Sequence, residues 1–279
     1  MREWRLIRDG RRPGSFNMAA DSVLLEACTP ETPPTLRLYR WTRPTLSLGR
    51  NEPLDDLLDS PALQALGIPV IRRVTGGKAV LHGGDLTYSV TGAVLHPQFA
   101  GGVLDNYRFL AQGFKQFFQN LGLSPEIQSE RASDSGEPHI CFSDPSAYEI
   151  LVQGRKLIGN AQRVRSVRTS QGPQRVFLQH GSIPVEDPVP LMLQIFPHAQ
   201  EETLRQEMHS LETCAGLSRC SPDELEALLL ESLSAALQVS WRQQSWSPEE
   251  LQAIQEKSRE FPAISGTLLA CQESSVREA

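Results

Sequence analysis

Cys141 is the residue of this sequence best suited to act as a nucleophile. It follows a polar loop at 129–138 and precedes a Ser143-Asp144-Pro145 turn, so it stands outside any apolar run. It also lies close in sequence to the most cationic part of the chain, and nearby positive charge lowers the pKa of a thiol toward reactive values. His139 would share its face in an extended segment, where it could act as a base. A small, buried, unreactive cysteine is the alternative interpretation.

A glycine turn between two predicted strands is the second candidate site. Consecutive Gly76 and Gly77 let the backbone approach a ligand closely, and the flanking Arg72, Arg73 and Lys78 would suit a phosphate or a carbonyl. The segment has neither the spacing of a Walker loop nor that of a G-x-G-x-x-G fingerprint. A plain β-hairpin with a Gly-Gly turn remains an open interpretation.

Two further residues are candidates whose position alone does not decide their role. Lys156 begins a strand after a Gln153-Gly154-Arg155 turn, where a lysine is ordinarily a solvated strand-end residue. His180 lies within a predicted strand and is either a pocket residue or a histidine held by structural hydrogen bonds.

The elements around these residues indicate a mixed α/β body. Apolar positions with helical spacing predict helices over 17–28 and 104–121, the second ended by Gly122. Ser221-Pro222-Asp223-Glu224 and Ser247-Pro248-Glu249-Glu250 are capping boxes, each opening a helix. The predicted strands are 36–40, 45–49, 69–74, 86–91, 148–152, 156–161 and 176–183. Strands in nearby groups favour an α+β fold, with a mixed central β-sheet flanked by helices and a helical C-terminal tail.

Composition and charge exclude several classes of protein. The 279 residues are 39% hydrophobic and 22% charged, which is typical of a globular protein, and no apolar run is long enough to cross a bilayer. A net charge of −6 argues against a nucleic-acid partner. The five cysteines are scattered and form no C-x-x-C pair, so we expect no disulfide framework and no zinc site. Without a secretory N-terminus, a reducing, cytoplasmic location is expected.

The charge is unevenly distributed along the chain. Residues 150–185 contain six basic and no acidic residues, whereas residues 200–279 contain 14 acidic and 6 basic residues. The basic stretch is either a solvated face or a docking surface for an acidic protein.

Several stretches, in order along the chain, resemble the biotin/lipoate protein ligase catalytic domain family, and within it the LipM-type octanoyltransferases. The resemblance covers about residues 1–260. The stretches that carry it are Gly14 to Ala19, Arg72 to Val90, Cys141 to Glu149, Gly154 to Lys156, Gly159 to Arg163 and Leu178 to Ser182.

The resemblance implies roles for residues at the matching positions. Cys141 would carry the acyl group, and Lys156 would bind the acyl carbonyl, stabilise the oxyanion and favour the thiolate. Gly76, Gly77 and His82 would line the acyl pocket, with Gly159, Ala161 and Gln162 as its opposite wall and His180 as a further pocket candidate. No matching motif supports His139. Cys28, Cys214, Cys220 and Cys271 have no match either and are interpreted as structural.

The implied reaction is an octanoyl transfer in lipoate biosynthesis. The donor would be octanoyl-acyl carrier protein, and the acceptor a lysine of a lipoyl carrier domain such as the glycine-cleavage carrier protein. No cofactor is expected, because a thioester-to-amide transfer needs neither ATP nor metal. In the family both protein partners are acidic, which fits the basic stretch. The predicted catalytic domain spans residues 1–260, with 200–260 as its helical part, followed by a divergent tail at 261–279.

Three alternatives remain open at this point. An ATP-dependent lipoate–protein ligase would share the glycine turn, but such ligases usually have a third glycine where Lys78 stands and an Asp directly after the histidine. Here Gly83-Gly84-Asp85 follows His82, which also departs from the transferase pattern. An amidotransferase moving octanoyl between lipoyl domains and a non-catalytic lipoyl-domain binder are the other two.

Overall fold

A computed structural model describes residues 2–53, 61–94, 103–128, 149–215 and 221–264. The strands are β1 (Arg2–Arg12), β2 (Thr35–Trp41), β3 (Thr45–Leu48), β4 (Val70–Arg72), β5 (Val80–His82), β6 (Asp85–Ala93), β7 (Pro125–Ile127), β8 (Ile150–Val152), β9 (Arg155–Lys156), β10 (Gly159–Thr169), β11 (Gly172–Pro184) and β12 (Val239–Gln243). The helices are α1 (Gly14–Ala27), α2 (Pro61–Ala65), α3 (Val103–Asn120), α4 (Val189–Ile195), α5 (Glu201–Glu207), α6 (Leu211–Ala215), α7 (Pro222–Leu237) and α8 (Pro248–Lys257).

A mixed six-stranded sheet forms the centre of the fold, with the strand order β10-β11-β6-β2-β1-β12. The strands β12, β1 and β2 run parallel, and each pairing from β2 through β6 and β11 to β10 is antiparallel. Two three-stranded sheets, β4-β3-β5 and β7-β8-β9, complete the strand pairing of the described residues. The predicted α+β fold with a mixed sheet is confirmed.

Helices cover both faces of the six-stranded sheet, and the sequence of β2 shows why. Leu36 and Leu38 belong to the main apolar core with α3 and α7, whereas Arg37 and Tyr39 contact α1 on the opposite face. Alternation along a strand therefore sends one set of side chains to an apolar layer and the other to a polar, buried layer. No described helix is long and apolar enough to cross a membrane.

The two predicted capping boxes are present. Ser221 and Ser247 each accept a hydrogen bond from the backbone N–H of a glutamate three residues later, and that glutamate bonds back to the serine N–H. The first helix ends one residue earlier than predicted, so Cys28 stands just past its last turn. Gly122, with φ +80°, follows the end of α3 as the pattern indicated.

Several features of the strands differ from the sequence prediction, and β1, β5 and β7 were not predicted. The predicted strand at 156–161 is two strands, β9 and β10, and β10 continues to Thr169. The C-terminal third is not purely helical, because β12 pairs with β1 in the six-stranded sheet. The glycine turn is not the turn of a β-hairpin, because β4 and β5 both pair with β3, which lies between them.

A buried arginine ties the polar face of the sheet to α1. Arg37 is fully buried and donates to Asp9 on β1 at 2.8 Å and to Asp21 on α1 at 2.9 Å. It also donates to the side-chain oxygen of Asn17 at 2.8 Å. Burial raises the pKa of Asp21, but the hydrogen bond from His180 and the charge of Arg37 outweigh it, so the pKa is lowered and the carboxylate stays ionised.

We expect Arg37→Met to destabilise the protein by about 3–5 kcal/mol, because it removes the arginine that pairs with the buried Asp21 and one of the two arginines that pair with the buried Asp9. Urea unfolding measures the loss. The matched control is Glu3→Gln, which removes an exposed pair with Arg242 at 3.9 Å and should change the free energy of unfolding by less than about 1 kcal/mol. Equal losses in the two variants would contradict a structural role for the buried ion pairs.

Candidate active site

A cavity lies between the six-stranded sheet and the small sheet β4-β3-β5. It encloses about 30 Å³, and the empty space between its walls is about 390 Å³ when the open mouth is included. Its apolar wall consists of Met18, Tyr39, Trp41 and Val80. Its polar and small residues are Ser47, Arg73, His82, Thr87, Gly159, Asn160, Ala161, His180, Gly181 and Ser182. An apolar slot with two histidines is suited to an apolar ligand that carries a polar end.

His82 is held at both ring nitrogens. Its Nδ1 lies 2.7 Å from Oδ2 of Asp85, and its Nε2 lies 2.9 Å from the hydroxyl of Ser47. The ring stacks on Trp41, with the ring centroids 4.1 Å apart. Asp85 stands three residues after His82 rather than directly after it, and Gly83, with φ +144°, turns the chain so that the carboxylate returns to the imidazole.

Asp85 is itself fixed by several donors. It accepts hydrogen bonds from the hydroxyls of Thr87 and Ser182 and from the backbone N–H of Gly83. Burial raises the pKa of Asp85, but the charge and hydrogen bond of His82 and the hydrogen bonds from Gly83 and Ser182 outweigh it and lower the pKa. The carboxylate therefore remains ionised inside the protein and orients the imidazole.

His180, on β11 of the six-stranded sheet, has a similar arrangement of partners. Its Nδ1 lies 2.9 Å from Oδ2 of Asp21, and its Nε2 lies 2.6 Å from the hydroxyl of Thr75. Burial lowers the pKa of His180 and outweighs the opposing effect of Asp21. The ring is therefore neutral at pH 7, with Nδ1–H donating to Asp21 and Nε2 accepting from Thr75.

The glycine turn is held by the side chain of Arg73. Arg73 donates to the carbonyl of Gly76 at 2.7 Å and to that of Lys78 at 2.8 Å. Gly77 adopts φ +91°, and its carbonyl packs closely on Gly49. A Cβ added to Gly49 would lie 1.8 Å from the carbonyl oxygen of Gly77. Of the residues predicted here, His82 lines the cavity, whereas Gly76 and Gly77 are exposed beside it.

Arg72 and Gln162 also stand outside the cavity wall. The Arg72 guanidinium donates to the carbonyls of Gly49 at 2.6 Å and Glu52 at 2.8 Å. The amide of Gln162 donates to Gln179 at 3.2 Å, and Gln179 donates to the hydroxyl of Tyr88. Gly159, Ala161 and His180, the other predicted pocket residues, do line the cavity.

Lys156 is buried, 3% exposed, in a different setting from the two histidines. Its ammonium lies 2.6 Å from Oε1 of Glu149, which is equally buried. Lys156 is not among the residues that line the cavity, although Gly159, three residues later, is. Cys141 and His139 lie outside the described residues, as do Cys220 and Cys271.

The other two cysteines are described. Burial raises the pKa of Cys28 to about 11. Burial also raises the pKa of Cys214. Neither thiol is therefore ionised at pH 7, which fits structural roles.

The carboxylates that orient the histidines were missed by the sequence reasoning. Asp21 interrupts an apolar stretch of the first predicted helix, Met18 to Leu25. A charged residue on the buried face of a helix is the signal that could have identified it. In the sequence, Asp85 is distinctive only because it stands three residues after His82, which departs from the family pattern. Ser47 and Thr75 carry no signal, because their roles depend on a contact between distant segments.

The sequence model of the lipoyl protein ligase A/B catalytic domain matches residues 13–234. The chain belongs to this family. An octanoyltransferase LipM of Carboxydothermus hydrogenoformans is 40% identical over 75% of this chain and 76% of its own length. A LipM octanoyltransferase of Exiguobacterium sibiricum is 32% identical over 94% of this chain and 96% of its own length. The chain is thus an acyltransferase of the lipoyl protein ligase A/B family.

Solved structures share the fold. A lipoate-protein ligase A bound with ATP superposes with a TM-score of 0.74 at 20% identity, covering 92% of this chain and 94% of its own. A bi-partite lipoate protein ligase from Thermoplasma acidophilum superposes with a TM-score of 0.72 at 19% identity, covering 93% of each chain. At about 20% identity, the similarity of this chain to these solved ligases is a similarity of fold.

We expect Gly49→Ala to destabilise this acyltransferase by about 2 kcal/mol or more, because the new methyl group would meet the Gly77 carbonyl. Gly76→Ala is the matched control in the same turn, since a Cβ there meets nothing within 4 Å. Thermal unfolding of both variants measures the difference. Similar melting temperatures would show that the turn can move away from Gly49.

The depressed pKa of His180 predicts a pH dependence of stability. The unfolded chain binds a proton at this histidine below about pH 6.5 and the folded chain does not, so its contribution is present above pH 6.5 and is lost as the pH falls. Between pH 7 and 5 the loss is at most about 2 kcal/mol. In urea unfolding across this range, the free energy of unfolding should depend less on pH in His180→Gln than in the wild type. His198→Gln, a substitution at an exposed site, should keep the wild-type dependence. A wild-type pH dependence in His180→Gln would contradict a neutral, buried imidazole.

Proposed function

We propose that this acyltransferase moves an octanoyl group from octanoyl-acyl carrier protein to a lysine of a lipoyl carrier domain, through a thioester on Cys141. The observation that carries the proposal is the similarity to octanoyltransferases over nearly the whole length of both chains. The proposed location is the cytoplasm, and the proposed acceptor is a lipoyl domain such as the glycine-cleavage carrier protein.

Cys141 is the proposed nucleophile because the resemblance to the LipM-type octanoyltransferases implies the acyl-carrying cysteine at this position. Cys28 is a poor candidate, because burial raises the pKa of its thiol to about 11 and the thiolate is then scarce at neutral pH. Cys141 lies eight residues before Glu149, in the segment that leads directly into β8 and the Lys156 ion pair.

Lys156 is the proposed electrostatic catalyst. A buried ammonium in a low-dielectric environment stabilises a developing oxyanion more strongly than a solvated one. Its contact with Glu149 restricts the position of the ammonium before substrate binds. His82, Gly159, Ala161 and His180 form the proposed wall around the acyl group, and Arg72, Gly76, Gly77 and Gln162 support that wall from outside.

The proposed reaction consists of two acyl transfers. The Cys141 thiolate attacks the octanoyl thioester, the carbon–sulfur bond to the phosphopantetheine breaks, and the departing thiolate takes up a proton. The acceptor lysine, as a neutral amine, then attacks the Cys141 thioester and releases the Cys141 thiolate and a proton. The product is an amide, so the sequence of steps is downhill without ATP.

The proposed docking surface for the acidic carriers is the edge strand β10 with its hairpin partner β11. Arg168 and Arg175 are exposed at the hairpin end. Arg165 is held in place by a hydrogen bond of 2.6 Å to the carbonyl of Glu26. Positive charge along an edge strand favours association with acidic domains and discourages unwanted strand pairing.

The test is intact-mass measurement after incubation with octanoyl-acyl carrier protein. We expect the wild-type protein to gain one hydroxylamine-labile octanoyl group, Cys141→Ser to gain none, and Cys214→Ser, the matched control, to gain one. Lys156→Met should slow acylation about 10²–10³-fold through loss of an oxyanion donor.

Different outcomes would identify the alternatives. Lipoylation that requires ATP and survives Cys141→Ser would establish a ligase and reject the proposal. An acyl-enzyme formed from an octanoylated lipoyl domain but not from the carrier protein would establish an amidotransferase. Binding of lipoyl domains without any acyl transfer would establish a non-catalytic binder and reject the proposal.

A further inference from the structure

A second cavity lies next to β9, the strand that contains Lys156. It measures about 90 Å³ and shares no lining residue with the first cavity. One water molecule needs roughly 10–15 Å³ on this measure, so a small polyatomic ion fits. Its polar lining residues are Arg155, Asp187, Arg205, His209, Ser210 and Thr213.

His209 is a buried polar group that lacks a partner at one nitrogen. The residue is 6% exposed, and among the described residues its Nε2 has no hydrogen-bond partner. Its Nδ1 lies 3.5 Å from the Thr213 hydroxyl, a long contact. Buried polar atoms are nearly always satisfied, so an unsatisfied one in the wall of a cavity points to a ligand.

The charges around this cavity leave one cation unmatched. Arg205 is neutralised by Asp187 at 2.9 Å and Glu201 at 2.7 Å, and Asp187 also accepts from the N–H of Val189. The half-buried guanidinium of Arg155 makes no ion pair or hydrogen bond with another described residue. Arg155 and His209 line the same cavity. Burial and then the charge of Arg155 lower the pKa of His209.

We propose that this cavity binds an anion of the phosphate class through Arg155 and His209, and that its occupant is the phosphodiester of the donor's phosphopantetheine arm. The identity of the occupant rests on the proposed function; the anion site itself does not. Arg155 and His209 together offer a fork of N–H donors and a second donor at Nε2, and arginine donors match phosphate oxygens in pairs.

The location suits a donor whose thioester must reach the first cavity. The backbone N–H of His209 donates to the carbonyl of Lys156 at 2.9 Å, so the cavity lies directly against β9. Arg155 is followed four residues later by Gly159, which lines the first cavity, so their Cα atoms lie within about 14 Å of each other. An extended phosphopantetheine arm is longer than this, so its phosphate can occupy one cavity while its thioester reaches the other.

The first test compares two small donors, octanoyl-4′-phosphopantetheine and octanoyl-pantetheine, which differ by the phosphate. We expect wild-type kcat/KM for acylation to favour the phosphorylated donor about tenfold or more, as charged hydrogen bonds usually do. Arg155→Met and His209→Gln should reduce this preference to less than about threefold. Arg242→Met, an exposed arginine on β12, should retain it.

The second test requires no acyl transfer. Inorganic phosphate should raise the pKa of the His209 ring in full-length protein, because a nearby anion favours the imidazolium form. The shift is followed by NMR of labelled histidine, with His209→Gln for assignment and chloride at equal ionic strength as control. The same titration of Arg155→Met should give a smaller shift. Asp187 and Arg205, the other charged groups of the wall, remain in all samples.

The outcomes separate this inference from the proposed function. Absence of a phosphate-dependent shift at His209 overturns the anion site, whatever the transfer assays show. A shift combined with equal use of the two donors overturns the phosphopantetheine occupant. If neither donor acylates the wild-type protein while octanoyl-acyl carrier protein also fails, the proposed function is rejected, and the phosphate shift alone then decides the anion site.

Discussion

The structure depends on one buried cation, Arg37, held between Asp9 and Asp21. A guanidinium without exposure to water is tolerated only when its charge and its N–H groups are matched, and here β1 supplies Asp9 while α1 supplies Asp21 and Asn17. Asp21 connects this ion pair to further residues, because the same carboxylate accepts hydrogen bonds from Tyr39, Ser89 and His180. The position of a cavity histidine is thereby linked to the packing of α1 on the sheet.

The second histidine is fixed by an equivalent but separate set of contacts. Asp85 orients His82 and is itself held by groups from β6 and β11, while Ser47 of β3 contacts the opposite nitrogen. The two carboxylate–histidine pairs approach the cavity from different sheets, with His82 on β5 and His180 on β11, and each imidazole has both nitrogens engaged. Such rings are stiff and oriented, which suits positioning of a polar group on a bound ligand more than free proton exchange.

Fold and chemistry are separable in this family. The solved ligases share the arrangement of sheet and helices at about 20% identity, and a shared fold does not decide whether an acyl group arrives as an adenylate or as a thioester. In the mechanism that we propose, that decision belongs to particular groups: the thiol at position 141, the buried Lys156–Glu149 pair and the proposed anion site at Arg155 and His209. Arg155 and Lys156 are consecutive residues of one short strand, β9.

Local patterns in the sequence determined much of this protein. Both capping boxes, the long helix before Gly122, the mixed α+β class and the order of the family motifs follow from spacing and residue type, because these depend on contacts within a few residues. Tertiary structure alone decided that β12 joins β1, that β3 separates the two strands around the glycine turn, and that Asp21 meets His180 across 159 positions of sequence. No local pattern encodes such a meeting, since it exists only after distant strands have taken their register and brought their buried polar groups within hydrogen-bonding distance.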